Sequence, residues 1–138
     1  MTASLLLAAF LFLAGYPSPA PGVAASNRGD FDAAQLPTRW YFAEGTTREG
    51  FFEYICLQNS SEYYAHVSVT YMTNEGDIGP FKVAVPPVSR ETVFVNDYLD
   101  EGLDVSALVE SDVGIVAERP MYFRYKGIWR GGHVAMGV

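Results

Sequence analysis

From residue 40 onward the chain runs in short apolar-rich stretches separated by turn residues. The clearest is AHVSVTYMT, residues 65–73. Val67, Val69 and Tyr71 fall on one face, and His66, Ser68, Thr70 and Met72 on the other. That period of two is the signature of a half-buried strand. The same reading makes strands of WYFAEG, FFEYICLQN, FKVAVPP and SRETVFVND, the last with Val93 and Val95 opposed to Thr92, Phe94 and Asn96. GIVAERPMYFRY and IWRGGHVAMGV form a terminal pair joined near Lys126 and Gly127. Pro120 lacks an amide proton and is expected at an edge or a bulge. DYLDEGLDVSALVESD is read as an acidic connection with room for one helical turn, because Gly102 argues against a longer helix. About seven short strands without a long amphipathic helix predict an all-β fold, an antiparallel β-sandwich.

The N-terminus has a different texture. An apolar run over residues 5–15 is followed by Pro17, Pro19 and Pro21, then Val23-Ala24-Ala25. Small residues at 23 and 25 fit a signal-peptidase site, with cleavage after Ala25. The run is shorter than the roughly 20 residues a membrane-spanning helix needs. Residues 1–25 are therefore expected to be a signal peptide with a helical apolar run, 26–38 a polar flexible linker, and 39–138 the sandwich domain, secreted or displayed at the cell surface. The linker contains Arg28-Gly29-Asp30, a tripeptide short enough to arise by chance.

The full chain of 138 residues has a net charge of −7, and every charged side chain follows the expected cut. Basic residues are few and scattered, which argues against nucleic acid as a partner. Cys56 is the single cysteine, so no intrachain disulfide forms; its neighbours Ile55 and Leu57 suggest a buried thiol.

Candidate chemistry is sparse. Glu44, Glu53 and Glu118 lie in or beside expected strands, but glycoside hydrolysis needs two carboxylates facing each other at roughly 5–9 Å, and spacing alone does not supply that pairing. Glu118-Arg119 suggests a charge satisfied by a neighbouring strand. Zinc needs three or four ligands, and only His66, His133 and Cys56 are on offer. Asn96, Asp97, Asp100, Glu101 and Asp104 supply oxygens of the kind calcium prefers, without the spacing of an EF-hand loop. No cofactor or metal is expected, and no enzymatic activity. Aromatic residues are the conspicuous class. Tyr63 and Tyr64 in a polar turn, and Trp129 beside Arg130, are the candidate ligand-binding residues, since exposed aromatics combine apolar area with a polar tip. His133, after Gly131-Gly132, joins them as an imidazole presented by a permissive turn, or serves to hydrogen-bond loop backbone. Cell-envelope polysaccharide or other surface proteins are the expected partners.

WYFAEGTT, GFFEYICLQN, VTYMTNEG, the segment from Pro86 to Asp97 ending in VND, DVSALVESD, IVAERPMYF and GGH-x-x-x-GV occur together in this order. Over residues 40–138 the chain resembles a family of extracellular domains of actinobacterial type, often repeated in tandem in large surface proteins. The resemblance implies an immunoglobulin-like sandwich and carries no catalytic residue over. It supports a non-catalytic interaction or structural module, with a carbohydrate-binding module and a small extracellular hydrolase as the alternatives.

Overall fold

Alternating strands are stable only when two apolar faces meet, and here they do so as two four-stranded sheets. The computed structural model describes residues 35–138. The signal segment, the helix expected of it and most of the linker lie outside the described residues. The strands are β1 (Arg39–Phe42), β2 (Phe51–Asn59), β3 (Ala65–Thr73), β4 (Gly76–Val85), β5 (Ser89–Phe94), β6 (Val105–Ser111), β7 (Val116–Tyr125) and β8 (Trp129–Met136), with a 3₁₀ turn at Val95–Asp97 after β5. One sheet has the order β1-β6-β3-β4 and the other β5-β2-β7-β8. All neighbours are antiparallel. The described residues form an all-β sandwich of eight strands, one more than the turn spacing suggests.

The additional strand is β6. Its acidic surroundings hide an alternation in which Val105, Ala107 and Val109 are buried and the residues between them are half-buried. It pairs with β1 and β3 at once, so it is a central strand. Pro120 also departs from expectation. It lies in β7, which has β2 on one side and β8 on the other, so it is at neither an edge nor a register shift. The sheet accommodates the missing donor by a gap: β2 and β7 pair at Glu53–Met121 and Cys56–Glu118, and the two pairs between are absent.

The core is aliphatic, centred on Ile55 and Leu57 of β2, Val67 and Val69 of β3, Val109 of β6 and Ala117 of β7, all essentially inaccessible. Trp40 closes one side and donates its indole N–H to the Ile115 carbonyl at 3.2 Å. The segment before β1 is also held, since Pro37 and Thr38 accept backbone bonds from Ile115 and Ser111. After β8 the chain crosses to the other sheet. Tyr41 and Val138 exchange backbone hydrogen bonds of 2.8 and 3.1 Å, which cover the outer edge of β1.

Asn59, at the end of β2 and 1% exposed, organises the opposite pole. Its amide nitrogen lies 2.6 Å from the Tyr63 carbonyl and 3.1 Å from those of Val85 and Pro86. Its oxygen accepts from the Ser61 amide and hydroxyl. One side chain thus ties the β2–β3 turn to the end of β4. Because truncation leaves buried carbonyls unpaired at about 1–3 kcal/mol each, Asn59→Ala should lower stability by about 2–4 kcal/mol in urea unfolding. A loss below 0.5 kcal/mol would show that the hub is not needed.

Candidate functional site

Two surfaces stand out, one at the end of the sandwich that carries the β1–β2 connection and one on the outer face of the second sheet. The first begins with β2. Glu53 is in phase with Ile55 and Leu57, so its carboxylate points between the sheets and is 1% exposed. Arg119 is in phase with Ala117 and Met121 on β7 and enters the same space, 5% exposed. Its Nε lies 3.9 Å from Glu53 Oε1, an ion pair without a hydrogen bond. The guanidinium also sits 5.9 Å from the Phe42 ring centroid, within the range of a cation–π contact. Arg119 Nε and Nη1 and the Tyr71 hydroxyl are buried without hydrogen-bond partners among the described residues.

Burial pushes the Glu53 carboxyl up to about 7, against the opposing pull of Arg119 and of the Thr46 amide, which donates to Oε2 at 2.8 Å. Burial likewise raises the Tyr71 phenol, helped by Glu53 and Tyr98. Desolvating a pair at imperfect geometry costs more than its attraction returns, which is the physical reason this carboxyl holds its proton so late.

The WYFAEGTT run forms the lid over the pair. Gly45 is buried, and a Cβ there would fall onto both Glu53 carboxylate oxygens. Thr46 and Thr47 donate their hydroxyls to the carbonyls of Leu103 and Asp100 at 3.0 and 2.6 Å, fixing the β1–β2 connection to the loop before β6. Asn96 completes the clamp, accepting from the Glu53 amide and donating to the Phe51 carbonyl at 3.0 and 3.1 Å. Thr46, Thr47 and Asn96 are therefore internal polar fasteners.

Outside this lid lies a groove of about 790 Å³. Phe51, Met72, Val105 and Met121 give it an apolar lining, and Glu44, Arg48, Asp104 and His133 a polar one. Arg48 and Asp104 pair at 2.7 Å but are well exposed, so the bridge contributes little. His133 reaches the groove from β8, opposite Met121 in register. The structure thus brings Glu44 and His133 to one groove with Glu53 sealed behind it, whereas Glu118 is in register with Cys56, out of phase with the inward residues of β2. Among the described residues no group of three or more His, Cys, Asp or Glu is placed to hold a metal ion.

The second surface is built by the outward positions of β5, β2, β7 and β8. Phe94 and Tyr54 stack at 4.8 Å between centroids, and Tyr54 meets Tyr122 edge-on at 5.9 Å. Phe52 is opposite Tyr122. Phe52, Tyr122, Val134 and Met136 are 41%, 53%, 59% and 52% exposed. Gly132, opposite Tyr122, is required by close approach: a Cβ would come within 2.7 Å of the Tyr122 ring, which lies over the glycine backbone. Next along, Arg124 and Arg130 face each other across the β7–β8 pair. Among the described residues neither makes an ion pair or side-chain hydrogen bond, and both are exposed.

The five candidate residues therefore do not converge. Trp129 and Arg130 open β8 at the hairpin end, and His133 lies further along in the end groove. Tyr63 and Tyr64, 74% and 55% exposed, occupy the β2–β3 turn, at the far end of β2, roughly 25 Å away by strand rise. What the residue-by-residue reading missed was the inward phase of Glu53 and Arg119 and the outward phase shared by Phe52, Tyr54, Phe94 and Tyr122. Both are readable from period-two parity once the pairing is known.

The fold and these surfaces define an antiparallel sandwich with a fastened lid, an end groove and an uncovered aromatic face. No protein-family model matches the chain, and no curated protein matches it. Among solved structures, protein 1070 of Thermotoga maritima superposes with a TM-score of 0.70 at 16% identity, over 75% of this chain and 95% of that one. The Anabaena sensory rhodopsin transducer superposes with a TM-score of 0.56 at 27% identity, over 61% of this chain and 95% of that one.

Two outcomes follow from the lid. A Gly45→Ala protein should lose about 2–4 kcal/mol, because its methyl must displace a buried carboxylate; urea unfolding measures this, and an unchanged midpoint would refute the close approach. The raised Glu53 carboxyl contributes stability that is fully present below its unfolded value near 4.5 and is lost as pH rises through about 7. The loss is on the order of 3 kcal/mol across that window. Glu53→Gln should remove most of this slope in melting curves taken from pH 4 to pH 8.

Proposed function

We propose that the chain is a non-catalytic, exported interaction module: an immunoglobulin-like frame that works outside the cell by docking its surfaces onto envelope components. The observation that carries this is the aromatic outer face of the β5-β2-β7-β8 sheet. Four rings from three strands lie along it, with Phe52 and Tyr122 open to solvent, and large exposed apolar patches mark interaction sites. The motif residues divide between two uses: Thr46, Thr47 and Asn96 fasten the lid end internally, while Phe52, Tyr54, Phe94 and Tyr122 carry their rings on the outer face. Likeness to a protein named as a sensory rhodopsin transducer agrees with a partner-binding use of this sandwich. Export rests on the apolar 5–15 run and the small residues before Ser26, and membership of the actinobacterial-type repeat family rests on the ordered motifs. Carbohydrate binding is the second reading, favoured by the Tyr122 ring lying over Gly132.

Co-sedimentation of the purified protein with bacterial cell envelopes tests the proposal. Binding should be saturable and should fall at least tenfold in a Phe52→Ser/Tyr122→Ser protein whose melting temperature stays within a few degrees of wild type. Envelope binding that survives this double substitution but is lost in Tyr63→Ser/Tyr64→Ser would move the site to the opposite pole. Mass spectrometry of the protein recovered from the medium of a secreting host should show Ser26 as its first residue.

A further inference from the structure

We propose that Arg124, Arg130 and Tyr122 form a subsite for an anionic polysaccharide, with a carboxylate or phosphate held between the two guanidiniums and a sugar ring laid on the tyrosine. The inference rests on the interaction-module reading and supplies its ligand class.

Acids outnumber bases by 16 to 9 in this chain, so an arginine has acidic partners within easy reach. Arg39, Arg48 and Arg119 take them, pairing with Glu110, Asp104 and Glu53. Arg90 has no acidic partner either but donates to Thr92 and Cys56, whereas the side chains of Arg124 and Arg130 have neither kind of partner among the described residues. They are directly opposite each other on neighbouring strands with no ion pair among the described residues. Like charges in that relation repel and destabilise a sheet. An external anion reverses the sign of the arrangement, because two guanidiniums offer donors in planar forks that match carboxylate or phosphate oxygens. The repulsion is intrinsic to the fold and the remedy is not, which identifies the pair as a binding feature.

Tyr122 decides what kind of anion fits. It shares the outward face with Arg124, two residues along the same strand, roughly 7 Å away by strand rise. Its ring rests against the Gly132 backbone on one side, and 53% of the residue is exposed. A ring supported in this way is a rigid platform that loses little entropy on binding. A sugar carrying its charge as a ring substituent presents an apolar face to the tyrosine and an anionic edge that a long arginine side chain can meet. An acidic peptide supplies the anion without the flat partner for the ring.

Calorimetry with the full chain supplies the test, using polygalacturonate as the carboxylate probe, a phosphomannan as the phosphate probe and polyglutamate as the peptide control. One of the two anionic polymers should bind, more weakly as salt is raised, and whichever binds identifies the anion. Arg124→Ala, Arg130→Ala and Tyr122→Ala should each weaken binding at least tenfold. Arg130→Glu should abolish binding while raising the melting temperature, since it replaces a repelling pair with an attracting one; a structural role for Arg130 predicts the reverse. Polyglutamate binding as tightly as the polysaccharide, retention of binding by Arg130→Glu, or no binding of either anionic polymer would overturn the proposal. Envelope binding that persists in the Arg130→Glu protein would overturn it and leave the module reading standing.

Discussion

A carboxylate and a guanidinium enclosed between two apolar sheets govern the architecture of one end of this molecule. Glu53 and Arg119 come from adjacent strands and meet where aliphatic side chains would pack without penalty. Their desolvation must be offset locally, and the surrounding sequence is arranged to do so. Gly45 lets the β1–β2 connection lie against the carboxylate, the Thr46 amide supplies a hydrogen bond, and Phe42 offers its ring to the guanidinium. Thr47 then fastens that connection to the β5–β6 region, and Asn96 fastens the turn after β5 to β2. The end groove takes its wall from the same lid, so its shape depends on a contact it never exposes.

How far the chain can be read before its structure is seen varied by element. β3 was fully legible, because its alternation is uninterrupted and its polar residues are uncharged or small. β6 was not, although Val105, Ala107 and Val109 alternate equally well. Leu99 and Leu103, buried beside it, sit among acids that give the whole tract the look of a solvated loop. A strand central to its sheet can carry such neighbours when they fall beyond its ends. Pro120 misled in the opposite way: the rule that proline avoids central strands holds for a continuous ladder, and this ladder has a gap.

The candidate site was less legible than the fold, for a reason that is geometric. Exposed aromatics can be guessed one at a time, as Tyr63 and Tyr64 were, but a surface is defined by which strands are neighbours. Phe52, Phe94 and Tyr122 are far apart in the chain and become one ledge only because β5, β2 and β7 are adjacent. Arg130 was singled out for its tryptophan neighbour; its significant neighbour is Arg124, across the hairpin. Glu118 and Arg119 look like a unit in sequence, yet successive strand residues face opposite ways, and Arg119 finds its partner in Glu53 instead.

The crossing of the chain after β8 bears on how the domain would carry mechanical load. Val138 lies antiparallel to Tyr41 and covers the outer edge of β1, so Thr38 and Val138 lie along the same edge of the sandwich. Tension applied through these two points would peel the Tyr41–Val138 pair open one hydrogen bond at a time, where strands leaving at opposite poles would share the load in shear. The edge at Tyr41 and Val138 would therefore open under little force, however firmly Asn59 and the buried ion pair hold the interior.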